Sequence, residues 1–268
     1  MSIGIIGYGV VGQAAAKTFK KSYDVFKYDK FTSLDTFEEI AQCDFVLVSV
    51  PTPFDCSKNI VNDQAVVESL NKLKDLNFRN IVIIKSTLPP GFCDSYSKTY
   101  DFSIVFNPEF LRESTTPNED FKNQDTVVIG ANERQIFDKT KKMYEKVLIE
   151  DAKYFFTNFK EAEMIKVAQN TMLASRVALA NMFFDACEEH NLDYAKIKKI
   201  GFDLFDIIGP HMSQVPGPDG SRGFGGKCLP KDIRAFSTIF KSSLLMEIIN
   251  YNDGLRSDLD AVLQNFKR

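Results

Sequence analysis

Short, near-continuous apolar blocks punctuate the first half of the chain, and each is followed by a stretch with helical spacing. The blocks SIGIIG (2–7), DVFKYD (24–29), DFVLVSV (44–50), NIVIIKS (80–86), FSIVFNPE (102–109) and TVVIG (126–130) have the length and composition of strands. Between them, VVGQAAAKTFKK (10–21), FEEIAQ (37–42), DQAVVESLNKLKDL (63–76) and ERQIFDKTKKMYEKV (133–147) read as helices. Strands that are apolar on both faces and alternate with helices predict a doubly wound parallel sheet covered on both sides. After about residue 156 the strand pattern stops. One long helix is predicted over 158–190, with Asn158 and Glu161 as a capping pair at its start. Shorter helices over 193–206 and 231–266 flank a glycine-rich loop, 217–226. The expected class is α/β: a sheet domain over 1–156, then an all-helical domain over 157–268 built on one long central helix.

The first strand runs into Gly7-Tyr8-Gly9-Val10-Val11-Gly12 and then directly into a helix. This G-x-G-x-x-G spacing permits a tight turn and close backbone approach, while the helix start offers amide donors and partial positive charge to a pyrophosphate. Asp29 ends the second strand, 17 residues after Gly12, close to where an acidic side chain takes the adenosine ribose hydroxyls. A glycine triplet alone reads as a structural turn. Strand, triplet, helix, strand and acid in this order predict a Rossmann-type domain that binds NAD rather than NADP, although Lys30 beside Asp29 weakens the discrimination.

The remaining composition excludes several classes. The chain of 268 residues is 44% hydrophobic and 26% charged, with a net charge of -3, so it carries no electrostatic footprint for nucleic acid. No apolar run approaches the roughly 20 residues of a membrane helix. The start MSIGIIGYG lacks the basic region of a signal peptide, and a cytoplasmic protein is expected. Five scattered cysteines and two histidines suggest reduced thiols, with neither a disulfide framework nor a metal site.

Ligands of such sheets lie beyond the carboxyl ends of the strands. Three loops stand there: Val50-Pro51-Thr52-Pro53, Lys85 to Gly91, and Asn107 to Glu113. Pro51, Thr52 and Thr87 are candidates for the cofactor side. Glu109 and Glu113, four apart, would share a face on one helical turn. On the long helix Lys166, Asn170 and Asn181 form a polar stripe among apolar neighbours; a buried lysine there needs a partner or a ligand. Finally, GFGGKCLPKD (223–232) places Cys228 between Lys227 and Lys231, with Asp232 four residues on. Cations and inward-turned amides favour a thiolate, and a nucleophilic thiol beside a nicotinamide cofactor suggests aldehyde oxidation through a thioester.

Taken together, GYGVVG, VPTPFD, KSTLPPG, NPEFLRE, the Lys166/Asn170 helix, GFGGKCLPKD and LLMEIINYND resemble the UDP-glucose/GDP-mannose dehydrogenase family, in family order over residues 3 to about 256. The resemblance implies a two-step, four-electron oxidation of a nucleotide-sugar C6 alcohol to a carboxylate with two NAD. It implies Cys228 as nucleophile, Lys166 and Asn170 as oxyanion stabilisers, Asp232 and Thr87 as aids to water placement and proton transfer, and Glu113 as general base near the nicotinamide. Glu109, Phe110, Leu111, Phe224 and Gly225 would meet the sugar, and Lys231 the cofactor phosphates. A homodimer through the helical domain is expected.

The chain departs from the family in three places. Family members continue into a second α/β domain that grips the nucleotide, whereas this sequence stops at Arg268. Ile207 stands where the family has an arginine that reaches a partner's substrate site, and Arg222 is a candidate to compensate. Asp125 replaces a second arginine. A two-domain dehydrogenase for a smaller hydroxy acid, or a non-catalytic NAD-binding remnant, are the alternatives.

Overall fold

Successive side chains of the buried strands point to opposite faces, and that alternation builds the first unit. The computed structural model describes residues 1–110, 116–209, 212–226 and 228–256. In chain order the elements are β1 (Ser2–Ile6), α1 (Val10–Phe19), β2 (Asp24–Tyr28), α2 (Phe37–Ile40), β3 (Phe45–Val48), β4 (Phe54–Asp55), β5 (Ile60–Val61), α3 (Gln64–Asp75), β6 (Ile81–Ile84), α4 (Phe92–Tyr96), β7 (Ser103–Phe106), α5 (Pro117–Lys122), β8 (Thr126–Gly130), α6 (Arg134–Glu145), β9 (Lys153–Thr157), α7 (Phe159–Glu189), α8 (Tyr194–Lys198), a π turn (Lys199–Asp203), α9 (Leu229–Ile239) and α10 (Ser243–Leu255). They form two compact units. One comprises 1–52 and 62–166, the other 53–61 and 167–268.

The first unit holds a seven-stranded sheet in the order β2-β1-β3-β6-β7-β8-β9. Ile3, Ile5, Phe45 and Leu47 face one core layer with Ala14, Ala15 and Phe19 of α1, Phe121 of α5 and Phe137 of α6. Ile6, Val46, Val48, Val82 and Ile84 face the opposite layer with Ile40 of α2, Val66 and Leu70 of α3, and Phe159. Helices on both faces explain why these strands read as unbroken apolar runs. The pairing is parallel except between β7 and β8, which run antiparallel. That reversal tempers the all-parallel expectation. The edge strand β9 carries exposed Phe155 and Phe156, so its pattern lacks a buried run.

In the second unit, α7 supplies Ala174 and Ala178 to a small core with Phe224, Ile233 of α9, and Leu245 and Ile249 of α10. The β4–β5 hairpin packs on α9; it follows the VPTP loop and had no strand signal long enough to read. The α7 start carries the expected reciprocal cap, Glu161 N–H to Asn158 Oδ1 at 2.9 Å and Asn158 N–H to Glu161 Oε2 at 3.0 Å. The single helix expected over 231–266 is instead two. Phe240 turns extended and Ser242 caps α10 through Leu245 N–H; residues 257–266 lie outside the described residues.

Candidate active site

The glycine loop between β1 and α1 is shaped by close backbone packing. Gly7 adopts φ +91, and a Cβ there would stand 2.6 Å from the Ser49 carbonyl oxygen. A Cβ on Gly12 would stand 2.0 Å from the Gly7 carbonyl oxygen. These two glycines are demanded by the fold itself. A Cβ on Gly9 would meet nothing within 4 Å among the described residues, so the loop leaves its open side at Gly9 and the start of α1. This is the fit a pyrophosphate needs: room for close approach at the second glycine and the amino end of a helix behind it. Asp29 accepts from Tyr8 N–H at 2.9 Å through Oδ2 and from Phe31 N–H at 2.9 Å through Oδ1, which fixes the carboxylate against the glycine loop. Lys30 is exposed and pairs with Glu68 at 3.7 Å, so an acid already balances the cation beside Asp29. Val10 is exposed and Val11 half-buried at the amino end of α1.

The carboxyl ends of β1, β3, β6 and β7 are stitched together by side chains, of which Ser49 and Ser86 carry no assignment from sequence and Thr52 is a cofactor-side candidate. Ser49 Oγ donates to Gly7 O at 2.9 Å, Thr52 Oγ1 to Thr87 O at 2.7 Å, and Ser86 Oγ to Val50 O at 2.7 Å. Thr52 and Thr87 therefore sit side by side, Pro51 beside them in chain. Deeper, the Lys85 ammonium donates to Asn107 Oδ1 at 2.7 Å and pairs with Glu109 Oε2 at 3.1 Å. Burial alone pulls a lysine pKa down, but the Glu109 carboxylate and Tyr144 outweigh it, and Lys85 is raised. Glu109 Oε1 accepts Phe110 N–H at 2.9 Å, and the Phe110 ring lies 5.3 Å from the Lys166 ammonium. Leu111 and Glu113 lie outside the described residues.

Glu163, one turn before Lys166, is a further residue without a motif to announce it. Its buried carboxylate accepts Gly91 N–H at 2.6 Å and Cys93 N–H at 2.8 Å, anchoring the PPG turn. Burial raises its pKa, and the amide donors partly offset that.

In the second unit the polar stripe of α7 turns inward. Asn170 Nδ2 donates to Asp232 Oδ2, and the Lys231 ammonium closes on Oδ1 of the same carboxylate. All three are buried. Lys231, expected at cofactor phosphates, thus has its ammonium engaged by Asp232. Cys228 stands exposed at the N-cap of α9, and its carbonyl accepts Asp232 N–H at 2.8 Å. Lys227 lies outside the described residues.

The loop before Cys228 is held from three sides. Asn181 Oδ1 accepts Gly223 N–H at 3.0 Å, and Asn252 Oδ1 accepts Phe224 N–H at 2.6 Å. Arg256 donates to Asp219 Oδ2 at 2.9 Å. A Cβ on Gly225 would stand 2.5 Å from the Arg256 guanidinium carbon, and one on Gly223 2.6 Å from Asn252 Oδ1. These glycines admit the clamp. Arg222 pairs with Asp185 and lies over Phe184, and Ile207 is 98% exposed.

Comparison with known proteins then ties the two units to one lineage. The model of the UDP-glucose/GDP-mannose dehydrogenase family NAD binding domain matches residues 25–148, and that of the same family's central domain matches 160–253. The chain is 34% identical over 222 residues to UDP-glucose 6-dehydrogenase of Rickettsia bellii, covering 81% of this chain and 49% of that protein. It is 32% identical over 223 residues to UDP-glucose 6-dehydrogenase of Campylobacter jejuni, covering 81% and 54%. The chain thus spans about half the length of the curated relatives it matches. Among solved structures, a UDP-glucose dehydrogenase from Pyrobaculum islandicum shares the fold with a TM-score of 0.82 at 24% identity, covering 94% of this chain and 68% of that one. The 3-hydroxyisobutyrate dehydrogenase of Mycobacterium tuberculosis, with a TM-score of 0.72 at 15% identity, is covered over 99% of its length.

Proposed function

We propose that this chain, which belongs to the UDP-glucose/GDP-mannose dehydrogenase family, oxidises the C6 alcohol of a nucleotide sugar to a carboxylate in two steps held together by Cys228. The observation that carries this reading is the exposed Cys228 at the start of α9, one turn from the buried Asp232–Asn170–Lys231 cluster. The amino end of a helix favours negative charge, as a nucleophilic sulfur requires.

Gly7 to Gly12 and Asp29 would hold NAD, which when bound would supply the hydride-accepting chemistry for both oxidations. The protein's own groups do the rest. The first oxidation leaves an aldehyde, and the C6–OH proton passes to a base. The Cys228 sulfur adds to the carbonyl carbon, and the resulting thiohemiacetal, losing its second hydride and a proton, becomes a thioester. Lys166 and Asn170 offset the negative charge that gathers on the C6 oxygen. Water placed by Asp232 and Thr87, with Glu113 as base, cleaves the thioester to a carboxylate and returns the thiol. Glu109, Phe110, Leu111, Phe224 and Gly225 meet the sugar.

A second copy of the chain is proposed to cover the apolar side of α7, where Met172, Leu179 and Phe183 are exposed; light scattering that finds only monomer would remove this. Five reduced cysteines suit a cytoplasmic setting. Among the described residues no helix is long and apolar enough to cross a membrane.

The test is NADH release from a panel of UDP- and GDP-sugars. Two NADH per sugar, abolished in Cys228→Ser, supports the reading. One NADH from a small hydroxy acid, indifferent to Cys228, would favour the second reading suggested by the full-length likeness to 3-hydroxyisobutyrate dehydrogenase.

A further inference from the structure

Lys85 follows β6 by one residue, and its side chain is 1% exposed. An ammonium at this depth persists where its donors are met. Asn107 Oδ1 accepts at 2.7 Å, the Asn107 carbonyl at 3.4 Å, and Glu109 Oε2 lies at 3.1 Å. The rings of Phe121 and Tyr144 lie 5.3 and 5.7 Å from it. Asn107 is pinned in turn: Tyr144 OH donates to its Oδ1 at 2.6 Å, and its Nδ2 donates to Val128 O at 2.7 Å. Val128 belongs to β8, Phe121 to α5 and Tyr144 to α6, and Lys85, Asn107 and Glu109 to the loops that follow β6 and β7.

The network leads outward through Glu109. Glu109 directs Oε2 at Lys85 and Oε1 at Phe110 N–H, and the Phe110 ring carries the Lys166 ammonium at 5.3 Å. The geometry points to Lys85 as a positioning residue for sugar recognition: it holds Glu109 as a carboxylate of fixed direction and, through Phe110, sets the place of Lys166. An ionised carboxylate accepts hydrogen bonds and donates none. A site bearing it selects a neutral sugar with free hydroxyls and disfavours one that already carries a carboxylate at the same place. This inference rests on the reading that Glu109 and Phe110 meet the sugar.

The experiment uses the full chain with Lys85→Met, Lys85→Arg, Glu109→Gln and the double variant Lys85→Met/Glu109→Gln. NAD titration reports cofactor binding, and steady-state rates with UDP-glucose separate KM from kcat. Lys85→Met is expected to bind NAD as the parent does and to raise KM about tenfold or more, the scale of a lost charge-assisted hydrogen bond. A smaller fall in kcat and partial recovery of KM in Lys85→Arg are expected, which a merely structural lysine would not produce. The double variant is expected to match Glu109→Gln, because Lys85 acts through that carboxylate. Parental KM in Lys85→Met overturns the inference, as does a double variant whose KM multiplies the two single effects. If Lys85→Met alone fails to fold, the double variant removes both charges together and carries the same comparison with Glu109→Gln. A parent chain that oxidises no nucleotide sugar instead overturns the proposed function, and is seen before any variant is made.

Discussion

The side-chain amide of Asn170 donates to the carboxylate of Asp232 across 62 positions of sequence, with both residues buried. Removing one partner of such a bond costs the other one buried hydrogen bond, a loss already incurred when both are removed, whereas the loss of the Lys231 ion pair is common to Asp232→Ala and the double variant. Asn170→Ala and Asp232→Ala are therefore expected to be non-additive in urea unfolding, with a coupling of about 1.5–3 kcal/mol. Asn170→Asp sets two carboxylates face to face and is expected to destabilise more than Asn170→Ala. Additive single effects would show that the bond contributes nothing.

The glycine loop separates fold from binding. Gly12→Ala drives a Cβ to 2.0 Å from the Gly7 carbonyl oxygen, whereas Gly9→Ala meets nothing within 4 Å among the described residues. Gly12→Ala is expected to lower Tm sharply or abolish folding. Gly9→Ala is expected to keep Tm near the parent and, with NAD at the proposed site, to weaken its binding by about tenfold or more, since the new methyl would stand on the open side of the loop proposed to face the cofactor. Calorimetry and fluorescence titration read the two effects separately.

Thiol reactivity is expected to divide by burial. Burial pushes the Cys43 thiol up to about 11 and Cys93 well above its ordinary value, while Cys56 and Cys228 are exposed. A disulfide reagent at mildly alkaline pH should titrate two thiols quickly in the native chain, and one in Cys228→Ser. Rapid modification of Cys43 without unfolding would contradict the packing described.

Alkaline stability follows from buried phenols. A tyrosine in the unfolded chain ionises near 10, and burial pushes Tyr154, Tyr194 and Tyr251 up to about 12. Between those values the unfolded state has released protons that the native state retains. Their contribution is present below pH ~10 and is lost as pH rises through about 12. Urea midpoints should fall over that window, and Tyr194→Phe should make the fall shallower.

The loop clamp offers a structural prediction of its own. Asn252→Ala strips the acceptor from Phe224 N–H and the donor from Phe224 O. Two buried backbone groups lose their partners, so a loss of about 1–3 kcal/mol is expected. Unchanged urea stability would mean that solvent reaches the loop.

Local pattern carried the elements a long way. The strands from β1 to β8 outside the short hairpin, and helices α1, α3 and α6, are visible as apolar runs and helical spacing because burial on both sheet faces imposes them residue by residue. The capped start of α7 is visible for the same reason, since Asn158 and Glu161 satisfy each other's amides within one turn. Gly7 and Gly12 are legible because a tight strand-to-helix turn admits nothing larger. The break at Phe240 was not, because it carries neither proline nor glycine and its one local sign, the Ser242 cap of α10, lies within an otherwise continuous helical pattern.

Residue types and spacing thus suffice for the alternating sheet, the glycine turn and the chemically distinctive thiol segment. They leave open whether Lys166, Asn170 and Asn181 face water, where Lys231 spends its charge, and which residues hold the strand-end loops. Tertiary structure answers each: Asn170 meets Asp232, Lys231 meets the same carboxylate, Asn181 and Asn252 hold the loop, and Lys85 lies between Asn107 and Glu109. The difference is one of range. Periodicity and turn chemistry act between neighbours in the chain, whereas a buried charge is stabilised by partners that folding alone brings within reach.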